Sequence, residues 1–121
     1  MTKLKVLLAE DDVTMVSLLT TLLTMEGFSV VAVQADADIP AAVRVENPDL
    51  LLMDVHLLNQ SGLDILDTIR KSEDMSRTRI VMSSGLNAQE ECINRGANGF
   101  LQKPYMPDEL ITLLRQTIKA A

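Results

Sequence analysis

The segment KVLLAEDDVTMVSLL, residues 5–19, places three consecutive acidic residues between two apolar segments. Like charges this close repel each other, and the repulsion grows as water is excluded. The pattern predicts a strand that ends at Glu10 and Asp11, followed by a helix that begins directly after Asp12. Asp12 then has an ordinary role as the helix N-cap, because its carboxylate can accept hydrogen bonds from the first backbone amides. Glu10 and Asp11 need a further explanation.

Along the rest of the chain, apolar runs of strand length alternate with segments of helical spacing. Several runs are continuous, as expected for strands that are covered on both faces. Strands are predicted at residues 4–9, 28–33, 50–53, 80–83 and 99–102, and helices at residues 13–26, 40–46, 62–71, 88–95 and 108–119. Repeated βα units with right-handed crossovers predict an α/β fold. We expect a doubly wound five-stranded parallel sheet of order 2-1-3-4-5, a flavodoxin-like (βα)5 arrangement.

Composition limits the function classes that this chain can belong to. The 121 residues are predicted to form one domain, residues 1–121. The net charge is −6 and the basic residues are scattered, which argues against nucleic-acid binding by this domain alone. Cys92 is the only cysteine, so we expect it to be a buried apolar residue in a reducing compartment. No signal-peptide pattern or membrane-spanning segment is visible, which favours a soluble, cytoplasmic domain without a membrane partner.

The predicted topology gives the acidic residues a common location. Ligands bind to sheets of this kind at the carboxyl ends of the strands, where the strand order reverses between strands 1 and 3. Glu10 and Asp11 end strand 1, and Asp54 ends strand 3. A structural role is reasonable for each acid taken singly, but three carboxylates at one place favour a cation, a raised pKa or a catalytic task. Oxygen-only ligands of this kind suit Mg²⁺.

Two further strand ends add a hydroxyl and an ammonium group to this edge of the sheet. Strand 4 ends at Ser83 or Ser84, and strand 5 is followed by Lys103. Lys103 alone would be an ordinary surface residue. Opposite a metal site, a lysine and a hydroxyl are typical of a cradle for a phosphoryl group, with one carboxylate as the nucleophile.

Four motifs in this order resemble one known family. They are LLAEDD after strand 1, LLLMDVHLLNQSGLDIL around Asp54, IVMSSG after strand 4 and GFLQKPY after strand 5. Together they resemble the receiver domain of two-component response regulators, and the similarity covers essentially the whole chain.

The resemblance implies a role for each acidic residue of the site. Asp54 matches the aspartate that accepts a phosphoryl group. Asp11 matches the acid that binds Mg²⁺ directly, and Glu10 beside it acts through water. His56 matches the position whose backbone carbonyl binds the metal, so its imidazole is not expected to act as a base.

The resemblance also implies the roles of the remaining site residues. Ser84 matches the hydroxyl that contacts the phosphoryl group, and Lys103 matches the lysine of the site, with a cis bond to Pro104 expected. Phe100 matches the aromatic switch position, and Gly62 matches the glycine that opens the third helix. Three positions depart from the common pattern: Glu10 replaces Asp, Ser84 replaces Thr, and Leu58 replaces Pro.

The function implied by the resemblance is phosphorelay signal transduction. Asp54 would take a phosphoryl group from a sensor histidine kinase or a histidine phosphotransfer protein, with Mg²⁺ as the cofactor. The domain would not be an enzyme beyond its own phosphorylation and dephosphorylation. Phosphorylation would draw Ser84 and Phe100 inward and remodel the face of the fourth helix, fifth strand and fifth helix. That face would control a partner or an output domain, and it is also where a homodimer would form.

Three other functions stay open at this point. A Mg²⁺-dependent aspartyl-phosphate phosphatase would need an Asp two residues after the nucleophile, where this chain has His56. A flavin-binding electron carrier would need a hydroxyl-rich loop after strand 1 and aromatic residues to stack on the flavin. A phosphorylation-independent interaction module would be unaffected by Asp54→Asn.

The first helix has an apolar arc wider than packing on the sheet requires. Residues 13–25 contain no charge, and Leu18 and Met25 extend the arc beyond the residues that face the sheet. A buried helix with a neutral outer face is one explanation. Our hypothesis is that Leu18 and Met25 help to dock the kinase or the phosphotransfer partner.

Overall fold

Five parallel strands form the central sheet in a computed structural model, which describes residues 3–34 and 36–119. The sheet order is β2-β1-β3-β4-β5, as predicted. The strands are β1 (Lys5–Ala9), β2 (Ser29–Val33), β3 (Leu50–Asp54), β4 (Ile80–Ser84) and β5 (Gly99–Gln102). The helices are α1 (Val13–Met25), α2 (Ile39–Glu46), α3 (Gly62–Lys71), α4 (Gln89–Asn94) and α5 (Pro107–Lys119).

Each face of the sheet has its own apolar cluster. Successive side chains of a strand point to opposite faces. Leu51 and Met53 of β3 therefore pack with the apolar residues of α2, α3 and α4, whereas Leu50 and Leu52 pack with those of α1 and α5. Every residue of β3 and β4 is buried, which explains their continuous apolar sequence. The result is a rigid three-layer support for the loops at the strand ends.

The N-terminus of α1 confirms the role predicted for Asp12. Its carboxylate accepts hydrogen bonds from the backbone amides of Thr14 and Met15, at 2.9 and 3.2 Å. At the other end of the helix, Gly27 has φ +93°, a conformation that residues with a side chain rarely adopt. Asp12 is thus accounted for by helix capping, unlike Glu10 and Asp11.

The structure differs from the sequence prediction in its details. Residues 56–57 and 60–61 form a small antiparallel hairpin directly after β3, which was not predicted. Helix α4 is shorter than predicted, and its N-cap residue Ala88 makes no side-chain capping bond. Cys92 is buried, as expected. Residues 1, 2, 35, 120 and 121 of the predicted domain lie outside the described residues.

Over residues 3–34 and 36–119, the helices lack the combination of length and apolar character that is needed to cross a bilayer.

Truncation of Leu51 tests the predicted burial of β3. Leu51→Ala should lower the free energy of unfolding by about 3 kcal/mol, because a fully buried side chain is replaced by a cavity. Val45→Ala, at an exposed position of α2, should change it by less than about 0.5 kcal/mol. Urea unfolding followed by circular dichroism measures both values, and equal losses would contradict this packing.

Candidate functional site

The strand register brings four strand ends to one edge of the sheet. The end of β1 lies beside that of β3, β4 lies beside β3, and β5 lies beside β4. The predicted site residues are at these ends: Glu10 and Asp11 after β1, Asp54 in β3, Ser84 in β4, and Lys103 after β5. The topology therefore places all of them at the carboxyl edge, as expected.

Three carboxylates converge at this edge. Glu10, Asp11 and Asp54 each offer an oxygen, and these oxygens lie within 4.8 Å of one another. Glu10 and Asp54 are buried, whereas Asp11 is exposed. A set of carboxylate oxygens open to solvent on one side suits a hard divalent cation such as Mg²⁺.

Lys103 links the two buried carboxylates. Its ammonium nitrogen lies 2.6 Å from Glu10 Oε1 and 2.8 Å from Asp54 Oδ2. Burial lowers the pKa of Lys103, but hydrogen bonds and attraction to Asp54 and Glu10 outweigh this effect and raise it above its ordinary value. Lys103 is therefore a fixed positive charge. Burial raises the pKa of Glu10, and the hydrogen bonds from Lys103 and the Asp12 amide only partly offset the effect.

Backbone amides orient the remaining carboxylate oxygens. The amide of Asp12 donates to Glu10 Oε2 at 3.1 Å, and the amide of His56 donates to Asp54 Oδ1 at 3.3 Å. Glu10 and Asp54 therefore each have one oxygen bonded to Lys103 and the other bonded to a backbone amide. Asp11 is the only exposed side chain among the three carboxylates, so it can bind a ligand that enters from solvent.

Ser84 is buried at the end of β4, the strand that pairs with the Asp54 strand, and its backbone is bonded to that of Lys103. Its hydroxyl oxygen accepts a hydrogen bond from the amide of Leu86 at 3.0 Å. The backbone amide of Lys103 donates to the carbonyl of Ser84 at 2.8 Å. Any displacement of Ser84 would therefore change the hydrogen bonding of the loop that leads into α4.

The family is decided by a sequence comparison. Residues 6–115 match the family model described as the response regulator receiver domain. The chain belongs to this family. Residues 6–115 therefore form a receiver domain of two-component signalling.

Relatives of this receiver domain include the transcriptional regulatory protein CpxR of Klebsiella pneumoniae. The two are 32% identical over 118 residues, which is 95% of this chain and 49% of that protein. The chain thus spans about half the length of the curated relatives that it matches.

Solved structures agree with the fold. The receiver domain of the sensor histidine kinase PA1611 from Pseudomonas aeruginosa PAO1 is 29% identical and superposes with a TM-score of 0.82, over 98% of this chain and all of that one. That structure has a magnesium ion in its active-site cleft. The chemotaxis response regulator CheY4 of Vibrio cholerae, 23% identical, has a TM-score of 0.87 over 96% of this chain and 99% of its own. At that identity, the second match shows the fold alone.

The structure also locates the other residues to which the family resemblance gave a role. The Lys103–Pro104 bond is cis, as expected. Phe100 is half-buried and packs against the cluster beneath α2, α3 and α4. His56 is exposed, and its backbone amide donates a hydrogen bond to Asp54 Oδ1. The role of the His56 carbonyl as a metal ligand stays a prediction.

Gly62 has a geometric reason for being a glycine in this receiver domain. Its amide donates to the carbonyl of Val55 at 2.7 Å. A Cβ atom at Gly62 would overlap the carbonyl oxygen of Asp54 and lie 3.0 Å from Val55 Cα. Any side chain here would displace the backbone that carries Asp54.

Sequence reasoning missed two contributors to the site. The hairpin after Asp54, residues 56–61, was not predicted, although Asn59 is a common turn residue and was an available signal. The link between Leu86 and Ser84 was also missed, because a backbone amide leaves no mark in the sequence.

Replacement of Lys103 tests its role as the cation of the receiver site. Lys103→Met keeps most of the side-chain volume but leaves Glu10 and Asp54 without their cation. We expect a loss of about 2–3 kcal/mol in the free energy of unfolding at neutral pH. This estimate is below that for a fully buried pair, because Lys103 retains some exposure.

The pH dependence of this loss follows from the direction of the pKa shift. A lysine with a raised pKa contributes its full stabilisation at neutral pH and loses it only in strongly alkaline solution. The loss caused by Lys103→Met should also be smaller at about pH 4 than at neutral pH, because burial raises the pKa of Glu10 and so favours its neutral form in acid. Urea unfolding at both pH values, with the exposed Lys71→Met as the control, measures this. Equal losses in the two variants would contradict the assigned role.

Proposed function

We propose that this receiver domain accepts a phosphoryl group on Asp54 from a histidine kinase or a histidine phosphotransfer protein. The observation that carries the proposal is the pair of contacts from Lys103 to Asp54 and Glu10, at 2.8 and 2.6 Å. They place a permanent cation beside the carboxylate that would react.

The cytoplasmic setting expected from the sequence stays a prediction.

The reaction transfers a phosphoryl group from a histidine nitrogen of the donor to a carboxylate oxygen of Asp54. A carboxylate oxygen of Asp54 attacks the phosphorus of a phosphohistidine, a P–O bond forms and the P–N bond breaks. The histidine nitrogen leaves with the bonding electron pair and takes up a proton. Water later attacks the acyl phosphate, which releases inorganic phosphate and restores the Asp54 carboxylate. The domain thus promotes only its own phosphorylation and dephosphorylation.

The convergent oxygens of this chain fit a Mg²⁺ ion. We assign Asp11, Asp54 and the backbone carbonyl of His56 as its direct ligands, and Glu10 as a ligand through water. Support comes from the three carboxylate oxygens within 4.8 Å of one another. When bound, Mg²⁺ supplies positive charge that balances the oxygens of the transferred group.

Lys103 and Ser84 have complementary tasks in this proposal. The ammonium of Lys103 binds an oxygen of the phosphoryl group and balances its charge. The hydroxyl of Ser84 turns from the Leu86 amide toward the same group and donates a hydrogen bond to it. Phe100 then moves into the space beside Ser84. These changes alter the face formed by α4, β5 and α5, which controls a partner or an output domain and can form a homodimer.

A second surface beside the site is suited to the phosphoryl donor. A cavity of about 600 Å³ lies between α1 and the segment after β5, next to Lys103. Leu18 is 59% exposed at its edge, and Tyr105 and Pro107 form the opposite wall. Met25 is exposed further along α1. We assign this apolar surface to docking of the kinase or the phosphotransfer protein, because Lys103 lines the cavity and also contacts Asp54.

Phosphorylation by a small molecule tests the central step. The intact mass of the parent protein should increase by one phosphoryl group after treatment with acetyl phosphate and Mg²⁺. Asp54→Asn should show no increase, because an amide is a poor nucleophile. Asp64→Asn, an exposed acid on α3, should behave like the parent. A phosphorylated Asp54→Asn protein would contradict Asp54 as the acceptor, and an unmodified parent would contradict the proposal and favour an interaction module.

Substitution on α1 tests the docking surface. Leu18→Glu should slow phosphotransfer from the cognate kinase or phosphotransfer protein by about tenfold, because a charge replaces an apolar contact. Phosphorylation by acetyl phosphate should be unchanged, since the site itself is intact. Val45→Glu, the same kind of change at an exposed position of α2, is the control. Parent-like transfer rates in Leu18→Glu would end this assignment.

A further inference from the structure

A groove between α3 and α4 lies next to the site and is not used by the proposed mechanism. Its volume is about 1130 Å³, above the roughly 300–1,000 Å³ of small-molecule pockets. Val55 and Leu63 line one side, and Leu86 and Ile93 line the other. Leu86 is 65% exposed and Ile93 is 43% exposed. Exposed apolar side chains along a groove of this size are typical of a surface that receives one face of a protein helix.

The charges around the groove are mostly negative. Arg95 of α4 binds two carboxylates at once, Asp67 at 3.0 Å and Glu91 at 3.2 Å. Glu90, in the first turn of α4, makes no ion pair within the described part of the chain. Lysine or arginine side chains of a partner would therefore find uncompensated acids at the rim of an apolar groove.

The C-terminal end of α4 is held firmly against α3. Arg70 of α3 donates to the carbonyl of Gly96 at 2.8 Å and to Asn98 Oδ1 at 2.9 Å, both just beyond α4. The same guanidinium donates to the carbonyl of Thr78 at 2.6 Å. With the Arg95 pairs, these bonds fix this end of the groove.

The N-terminal end of α4 is held much less. Its N-cap residue, Ala88, makes no side-chain capping bond, and Gly85 has open space where a side chain would lie. The loop between them is bonded to the phosphorylation site, because the Leu86 amide donates to Ser84 Oγ at 3.0 Å. This bond ties the groove wall that carries Leu86 to Ser84, and it is lost in the proposed mechanism when the Ser84 hydroxyl turns toward the phosphoryl group.

We propose that the groove between α3 and α4 binds a cationic amphipathic segment of the output partner, and that phosphorylation of Asp54 changes its width. The second part rests on the proposed function, since it needs Ser84 to move. Because Arg70 holds the chain just beyond the C-terminal end of α4, a movement of Ser84 displaces mainly the N-terminal end of α4 and the loop that carries Leu86. This surface lies on the α3 side of α4, and it adds to the face formed by α4, β5 and α5.

Charge identifies the occupant. The apolar walls call for an apolar stripe, and the acids at the rim call for lysine or arginine beside it. A cationic helix satisfies both requirements.

A designed probe tests the groove directly. The probe is a fluorescent amphipathic helix with leucine on one face and lysine on the other, and its binding is measured by fluorescence anisotropy. Ile93→Lys should weaken binding by about tenfold, because it removes an anchor and adds repulsion. Val45→Lys makes the same change in net charge at a remote exposed position and should bind like the parent. Glu90→Gln, at an exposed side chain, should weaken binding by about threefold.

The same probe tests the link to phosphorylation. Its affinity for the parent should change by at least about threefold after treatment with acetyl phosphate and Mg²⁺, with modification verified by intact mass. Asp54→Asn, treated identically, should show no change. Absent binding, or equal losses in Ile93→Lys and Val45→Lys, would overturn the groove assignment. An unchanged affinity in protein that is verified as phosphorylated would overturn the link to Asp54 while leaving the phosphoacceptor role intact.

Discussion

The pairing of Lys103 with two buried carboxylates is the interaction on which the rest of this site depends. Glu10 and Asp54 end adjacent strands and are almost fully enclosed. At this separation and in surroundings of low dielectric, their mutual repulsion would be severe without a cation. Lys103 reaches both, at 2.6 and 2.8 Å, and makes the arrangement compatible with folding. The third acid, Asp11, leaves an excess of negative charge that a divalent cation can balance.

The sheet supplies the precision that this pairing needs. Strands β3 and β4 are buried on both faces, so the strand backbone from which the site side chains project is held in place. The site residues lie at these ends or just after them, where the chain leaves the sheet. Gly62 allows the backbone after Asp54 to fold back closely, and the cap at Asp12 begins α1 beside Asp11. A rigid core and a charged edge are thus two results of one topology.

Much of this organisation could be predicted from the sequence. Continuous apolar runs identified the strands, and the acids at their ends identified the edge that carries the site. The family resemblance supplied the assignment of Ser84 and Phe100. The hairpin after Asp54 was not predictable in the same way, because each of its strands has only two residues, too few for an alternating pattern to show in the sequence.

Long-range geometry was the part that the sequence concealed. Lys103 and Glu10 are 93 residues apart, and no local pattern states that one ammonium group serves both Glu10 and Asp54. The groove between α3 and α4 is a second example. It depends on where two helices lie on the sheet and on the bonds that Arg70 makes beyond α4. Such features follow from packing, which a periodic pattern describes only in outline.

The central claim is that acids from the ends of β1 and β3 form one divalent-cation site. Calorimetric titration with Mg²⁺ tests it most directly, using two neighbouring substitutions with the same chemistry. Asp11→Asn should weaken Mg²⁺ binding by at least about tenfold, because it removes a carboxylate from the convergent set. Asp12→Asn should bind Mg²⁺ nearly as the parent does, because Asp12 caps α1 and asparagine also caps well. Equal effects of the two substitutions, or a parent that binds no Mg²⁺, would contradict the account.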